Sequence, residues 1–262
     1  MNTTAATAAV DAAADGIIEG RNAVEEALRA GIPLDKVYLQ KGESDKTLRR
    51  IAATVRATGT VVVETDRRKL DAMSRTHAHQ GILALTAVRE YVDVETILRR
   101  AAERGEAPLL AVCDGITDPQ NLGAILRSAE CAGFHGVVIP KRRSAGLTAV
   151  TAKTSAGAVA HIPVARVPNL PALLKDLKKS GLWIYGAEPG GSTLLYEADF
   201  RGPSVVVIGS EGSGMTRLVR ENCDFLLGIP MRGKLNSLNA SAAAAIVFYE
   251  AVRQRSGQAG TK

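Results

Sequence analysis

The chain has 262 residues, 46% apolar and only 4% aromatic, enough to bury a sizeable core in one large domain or, as we read it, two smaller ones. It has no uncharged apolar run of about eighteen residues, and its opening MNTTAATAAVDAAADG carries two aspartates and no basic region, so neither a membrane span nor a signal peptide is indicated and a cytoplasmic protein is expected. The formal charge of +6 suits a polyanionic partner and a small-substrate enzyme equally, while Cys113, Cys131 and Cys223, far apart and in no CxxC pair, argue against a zinc knuckle or a disulfide framework and read as reduced core thiols.

In chain order, residues 1–15 are Ala/Thr-rich without turn or cap signals and are expected to be a mobile tail. A first unit, 16–90, follows. Asn22 to Ala30 places Val24, Ala27 and Leu28 on one helical face and stops at Gly31; Lys36 to Leu39 is a short strand. Asp45 can cap a helix whose Leu48, Ile51, Ala52 and Val55 recur at helical spacing before Gly59. Strands over Val61–Val63 and Gly81–Ala87 complete a small α/β module. Tyr91 to Arg104 reads as a polar amphipathic connection within a linker, 91–107.

The second unit, 108–257, is followed by a short tail, 258–262. Its predicted strands are Leu109–Cys113, Gly136–Ile139, Ile162–Val164, Trp183–Tyr185, Val205–Ile208 and Phe225–Leu227. Helical patterns over Asn121–Ala132, Leu170–Lys179 and Asn239–Arg253 separate most of them. Near-continuous Val/Ile/Leu strands alternating with helices imply an α/β fold with a parallel sheet covered on both faces, with ligands expected beyond the carboxyl ends of the strands. Between Cys131 and Lys175 there is no acidic residue, whereas Lys141, Arg142, Arg143, Lys153, Arg166 and Lys175 all occur there. That stretch is either a phosphate-contacting surface, with Lys141, Arg142, Arg143 and Lys153 as the candidate contacts, or a solvated basic face.

Three segments place polar or glycine residues where a strand ends. In Asp114-Gly-Ile-Thr-Asp-Pro-Gln-Asn-Leu-Gly-Ala-Ile-Leu-Arg127, Asn121 opens a helix and Arg127 lies within it; a cap and a surface charge explain the two equally well. In Val205-Val-Val-Ile-Gly-Ser-Glu-Gly-Ser-Gly214, glycines allow a close backbone approach to a ligand. Glu211 sits where a phosphate cradle would avoid a carboxylate, and the GxxxxGK[ST] spacing is absent, so a nucleoside-triphosphate loop is disfavoured and a bare turn stays open. In Ile229-Pro-Met-Arg-Gly-Lys-Leu-Asn-Ser-Leu-Asn239, Ser237 and Asn239 lie at a helix start, where capping alone would account for them. The alanine run that follows allows very close packing against another backbone or a second copy, although helix propensity accounts for it too. No GxGxxG follows the first strand of this unit and no GxSxG occurs; His77-Ala-His79 alone is a weak metal signal.

Taken in order, NLGAILRSAECAG, VVVIGSEGSGM and IPMRGKLNSLNASAAAAIVFYE closely resemble the three motifs of the SpoU (TrmH-like) branch of the SPOUT RNA 2′-O-ribose methyltransferases. Upstream, Gly20-Arg-Asn-Ala-Val24 and His79-Gln80-Gly81 look like the N-terminal domain of the bacterial 23S rRNA guanosine 2′-O-methyltransferase subgroup, so the resemblance covers residues from about 16 to 255.

The resemblance implies a C-terminal α/β-knot catalytic domain with a trefoil knot, a small ribosomal-protein-like RNA-binding domain before it, a homodimer that completes each site, and S-adenosylmethionine as methyl donor, with no metal. Carried over by position, Gly209, Ile229 and Leu238, with Ala187 and Glu188 on a neighbouring loop, line the donor pocket. Asn121, Arg127, Glu211, Ser237 and Asn239 are the catalytic candidates, and Arg21 and Asn22 join Lys141, Arg142, Arg143 and Lys153 as the expected RNA-binding set. With 13 Lys/Arg against 10 Asp/Glu between Gly16 and Glu90, the first unit should select RNA by shape and loops rather than by charge.

The family's proposed base is the arginine matched here by Arg127. An arginine with a pKa above ~12 is a poor base at neutral pH, so a role in binding the substrate phosphate and stabilising the developing alkoxide is preferred. Asn121 and Asn239 are then expected to position Arg127 and the ribose, Glu211 to orient a cationic or donor group such as Arg127, and Ser237 to hydrogen-bond the substrate or the donor-side loop. The expected target is a guanosine in 23S rRNA. The alternatives are a tRNA ribose methyltransferase, a resistance-type rRNA methyltransferase, a non-catalytic RNA-binding or ribosome-assembly protein that keeps the fold, and a small-molecule α/β enzyme.

Overall fold

A computed structural model describes residues 16–42 and 45–256; the tails expected at 1–15 and 258–262 lie outside the described residues. Two compact units result, one running to Glu90 with Gly146–Ala149 added, the other formed by Tyr91–Ala145 and the chain from Val150 onward.

The first unit contains β1 (Ile17–Glu19), α1 (Arg21–Arg29), β2 (Leu34–Gln40), α2 (Lys46–Ala57), β3 (Val61–Thr65), α3 (Arg67–Met73) and β4 (Ile82–Thr86). Its sheet runs β1-β4-β2-β3, with β2 and β3 parallel and the other pairs antiparallel. Asp45 caps α2 by accepting the Thr47 N–H at 2.7 Å, and Leu48, Ile51, Ala52 and Val55 form the buried face that their spacing predicts. They pack in one core with Val24 and Ala27 of α1 and with Ile18, Val37 and Ile82 of the sheet. Helix α3 was not foreseen: Asp66 caps it, but only Leu70 is buried, so it carries no hydrophobic period.

The second unit contains α4 (Val94–Glu103), β5 (Leu109–Asp114), α5 (Pro119–Cys131), β6 (Gly136–Pro140), α6 (Ala149–Thr154), β7 (Val164–Val167), α7 (Leu170–Lys179), β8 (Trp183–Ala187), β9 (Thr193–Leu194), β10 (Ser204–Gly209), α8 (Arg217–Arg220), β11 (Phe225–Gly228) and α9 (Ala240–Ser256). Its sheet runs β7-β6-β5-β10-β8-β11-β9 and every adjacent pair is parallel. Strand β5 is buried along its whole length and β10 along nearly all of it, which is why they read as unbroken apolar runs. Their register pairs Gly209 with Asp114, so the loops that follow the two strands emerge side by side.

Several local expectations are corrected. Helix α5 opens at Pro119 and not at Asn121, because Asp118 accepts the Gln120 N–H at 3.0 Å and proline is pre-set for the first helical position. Strand β7 starts at Val164, since Pro163 has no N–H for the ladder. Within the stretch expected to be a polar connection, α4 buries Val94, Ile97 and Ala101, and Val94 and Ile97 join the core of the second unit. Of the three thiols, Cys131 is exposed; burial pushes Cys113 and Cys223 up to about 12. The alanine run has a packing role: Ala240 and Ala244 are buried where α9 lies on α5 and β10, and Phe248 meets Phe134 with ring centroids 4.2 Å apart. No described helix is long and apolar enough to cross a membrane.

Candidate active site beyond β5 and β10

At the end of β5, Asp114 is almost fully buried, and its Oδ2 accepts the Thr216 N–H at 2.6 Å, tying the start of one loop to the end of the next. After β10 the chain closes on itself: Ser210 N–H donates to Gly214 O at 3.0 Å and Gly214 N–H to Ser210 O at 2.9 Å. Gly212 and Gly214 take left-handed φ values of 81° and 65°, which L side chains rarely adopt. Gly209 is required for a different reason, because a Cβ there would strike the backbone of Gly214 and Met215. This tight loop projects Glu211.

Glu211 Oε1 is the hub of the site. It accepts from Asn121 Nδ2 at 3.1 Å, from Asn239 Nδ2, and from the Ala240 N–H at 3.4 Å. Asn239 Nδ2 also donates to Asn121 Oδ1 at 2.9 Å, closing a ring of three side chains from α5, the post-β10 loop and the start of α9. The other end of Asn239 caps α9: its Oδ1 accepts the N–H groups of Ser241 and Ala242 at 2.9 and 3.2 Å. Capping, the plain alternative for Asn239, is therefore real, and it is combined with a second contact.

Beside the ring lies a cavity of ≈ 710 Å³. Gly209, Ile229, Leu238, Ala187 and Glu188 all line it, as do Glu211, Ser237 and Asn239. Glu188 is held by Arg220, whose Nε lies 2.9 and 2.7 Å from its two carboxylate oxygens. Met231, Asn236 and Ala243 line the same cavity and were not singled out from the sequence; nothing but their place in the third motif could have marked them. Asp114 was also missed, although a carboxylate ending an apolar strand was a usable signal.

Arg127 is not gathered in. It stands exposed on α5, about 9 Å along the helix from Asn121, and has no hydrogen bond or ion pair among the described residues. Of the carboxylate expected to orient it, Oε1 is taken by the amides of Asn121 and Asn239. Lys141, Arg142 and Arg143 follow β6, and Lys153 is exposed on α6; Arg166, from the same basic stretch, instead lies over the Tyr91 ring, 4.5 Å from its centroid. Arg21 and Asn22 open α1 of the first unit. The second His77-Ala-His79 ring is engaged: His79 Nδ1 accepts the Gly81 N–H, and Nε2 lies 3.0 Å from Asp71 Oδ1.

Comparison with known proteins gives a consistent result. Residues 108–249 match the SpoU rRNA Methylase family, and residues 17–92 match the family described as RNA 2′-O ribose methyltransferase substrate binding. A Bacillus subtilis (strain 168) protein named as a TrmH family tRNA/rRNA methyltransferase is 42% identical over 236 residues, 90% of this chain and 94% of its own. Among solved structures, the SpoU methyltransferase AviRb from Streptomyces viridochromogenes, in complex with the cofactor AdoMet, superposes with a TM-score of 0.60 at 26% identity, covering 97% of this chain and 98% of that one. A structure titled for 2-OH methylation of C/U34 on tRNA has a TM-score of 0.52 at 27% identity and covers 58% of this chain and 98% of its own.

Proposed function

Because the chain belongs to the SpoU rRNA Methylase family and is an RNA 2′-O-ribose methyltransferase, we propose that it methylates a guanosine ribose in 23S rRNA in the cytoplasm, with S-adenosylmethionine as donor. The observation that carries the reading is the closed Asn121–Glu211–Asn239 ring at the edge of the ≈ 710 Å³ cavity. The rRNA preference is supported by the first unit, which matches a substrate-binding family, whereas the tRNA-methylating structure spans only 58% of this chain.

The cavity fits the donor. Its volume lies within the range of about 300–1,000 Å³ typical of small-molecule sites, its wall at Gly209 is bare backbone, and Ile229, Leu238 and Ala187 offer apolar contact. Those residues, with Glu188, would hold S-adenosylmethionine, which when bound supplies a sulfonium methyl already activated for displacement.

The chain's own work is positioning and charge. Asn121 and Asn239 fix Glu211 through Oε1; its Oε2 accepts no hydrogen bond among the described residues and is left for a donor. That donor is Arg127 of a second copy, which binds the substrate phosphate and stabilises the negative charge that develops on the ribose 2′-oxygen. Ser237 hydrogen-bonds the substrate or the donor-side loop. A homodimer is supported by the exposed Ala242, Ile246 and Tyr249, which form one stripe on α9 at helical spacing. The trefoil knot belongs to the same reading, supported by the insertion of β10 between β5 and β8. Parallel methyl-transfer assays on 23S rRNA and on tRNA, both from cells lacking the enzyme, test the substrate: transfer to 23S rRNA alone supports it, and transfer to tRNA alone overturns it.

A further inference from the structure

The first unit contains a second cavity, of ≈ 380 Å³, lined in part by Arg21 of the expected RNA-binding set and not used by the methyl-transfer chemistry above. We propose that it takes one unstacked nucleotide of the RNA substrate, with Gln40 and Gln80 reading the base edge and Arg67 and His77 meeting the phosphate. The proposal rests on the RNA methyltransferase reading and adds a recognition subsite to it.

The walls are held in place before any ligand arrives. Glu19 of β1 accepts from Ser74 Oγ, the Arg75 N–H and Thr76 Oγ1, each at 2.6 Å, and Ser74 Oγ in turn accepts the His77 N–H at 2.9 Å. The buried His79 ring locks the next turn through Asp71 and Gly81. Arg21 Nε donates to Gln80 O at 3.1 Å and its guanidinium pairs with Asp45. Two of the lining residues, His77 and Gln80, adopt left-handed φ of 55° and 51°, an unfavourable conformation for both that the surrounding bonds sustain.

What these walls present is the chemistry of a nucleotide. The half-buried Gln40 amide at the end of β2 makes no side-chain hydrogen bond among the described residues, and Gln80 uses only its oxygen, toward the Arg21 N–H. A primary amide offers both donor and acceptor to a base edge. Arg67, with its side chain 73% exposed, and the exposed His77 add cationic and N–H donor groups beside them. Single-stranded RNA is recognised through splayed-out bases that meet such edges, with arginine or histidine on the base plane or phosphate.

The test is titration of the full chain with each of the four nucleoside 5′-monophosphates and with inorganic phosphate, read by side-chain amide and imidazole NMR resonances. One mononucleotide is expected to shift Gln40, Gln80 and His77 saturably and to bind at least about tenfold more tightly than phosphate, with Gln40→Ala and Arg67→Gln each weakening it about tenfold. In methyl transfer the same variants should raise KM for RNA while kcat and S-adenosylmethionine affinity stay unchanged. Equal binding of phosphate and mononucleotide, or an unchanged KM in both variants, overturns the subsite. A wild-type chain that binds the mononucleotide but methylates no RNA upholds the subsite and overturns the functional reading instead.

Discussion

Asn239 and Asn121 stand 118 residues apart in sequence and are joined by a 2.9 Å hydrogen bond, with Glu211 bonded to both. The two asparagines differ in what else they do, and this separates stability from turnover. Asn239→Ala removes the cap of α9 and should cost about 1 kcal/mol of stability as well as activity. Asn121 lies inside the first turn of α5, which Asp118 already caps, so Asn121→Ala should lower methyl transfer about ten- to a hundredfold with little change in the denaturation midpoint. Equal destabilisation by the two would show that the ring is structural only.

Arg127 makes no hydrogen bond or ion pair with the ring in its own chain, which sets up a complementation experiment. Arg127→Ala and Glu211→Gln chains should each be inactive as homodimers. Mixed one to one, half of the dimers are hybrid and each hybrid has one intact site, so activity should return to about a quarter of wild type. If Arg127 acts within its own chain, the mixture stays inactive. Arg127→Lys with near-wild-type turnover would remove the need for a planar guanidinium.

Gly209→Ala places a methyl group against the backbone of Gly214 and Met215, where no flexible side chain can give way. The loop must move, and with it Glu211 and the cavity wall. S-adenosylmethionine affinity, measured by calorimetry, should fall at least about tenfold. Unaltered affinity would place the donor elsewhere.

Much of this arrangement could be read from the sequence and some could not, for identifiable reasons. Strands β5 and β10 announced themselves because burial on both faces leaves no polar alternation, and α2 because four apolar residues recur at helical spacing below a capping aspartate. Helices α3 and α8 bury only Leu70 and Val219, respectively, too little to leave a period, and β9 is two residues long. The meeting of Asn121, Glu211 and Asn239 has no local signature, since the parallel register of β5 and β10 and the return of α9 create it; their places at strand ends marked the three residues, and only resemblance to a family grouped them as one site. His77-Ala-His79 was a weak metal signal, and the role of His79, bracing a turn between Asp71 eight residues before it and the Gly81 N–H two after it, follows no motif that could have marked it.

Glu19 makes the second cavity sensitive to acid. Burial alone would raise its pKa; hydrogen bonds from Ser74, Thr76 and the backbone at Arg75 and Thr76 outweigh burial and lower it from 4.5 to about 2. A depressed carboxyl contributes stability that is complete above the ordinary value of 4.5 and is lost as pH falls through about 2. Exchange protection of the Arg75 and Thr76 amides should therefore decline over that window in wild type, and Glu19→Gln should lack protection there throughout. Identical profiles would show that the carboxylate does not hold the loop.

The central claim is tested most directly by transfer of tritiated methyl from S-adenosylmethionine to total RNA from cells lacking this enzyme, followed by mapping of ribose methylation, with Glu211→Gln in parallel. The account predicts label at one guanosine 2′-oxygen of 23S rRNA and its loss in the variant. Label on a base rather than a ribose, or full transfer by Glu211→Gln, would contradict it.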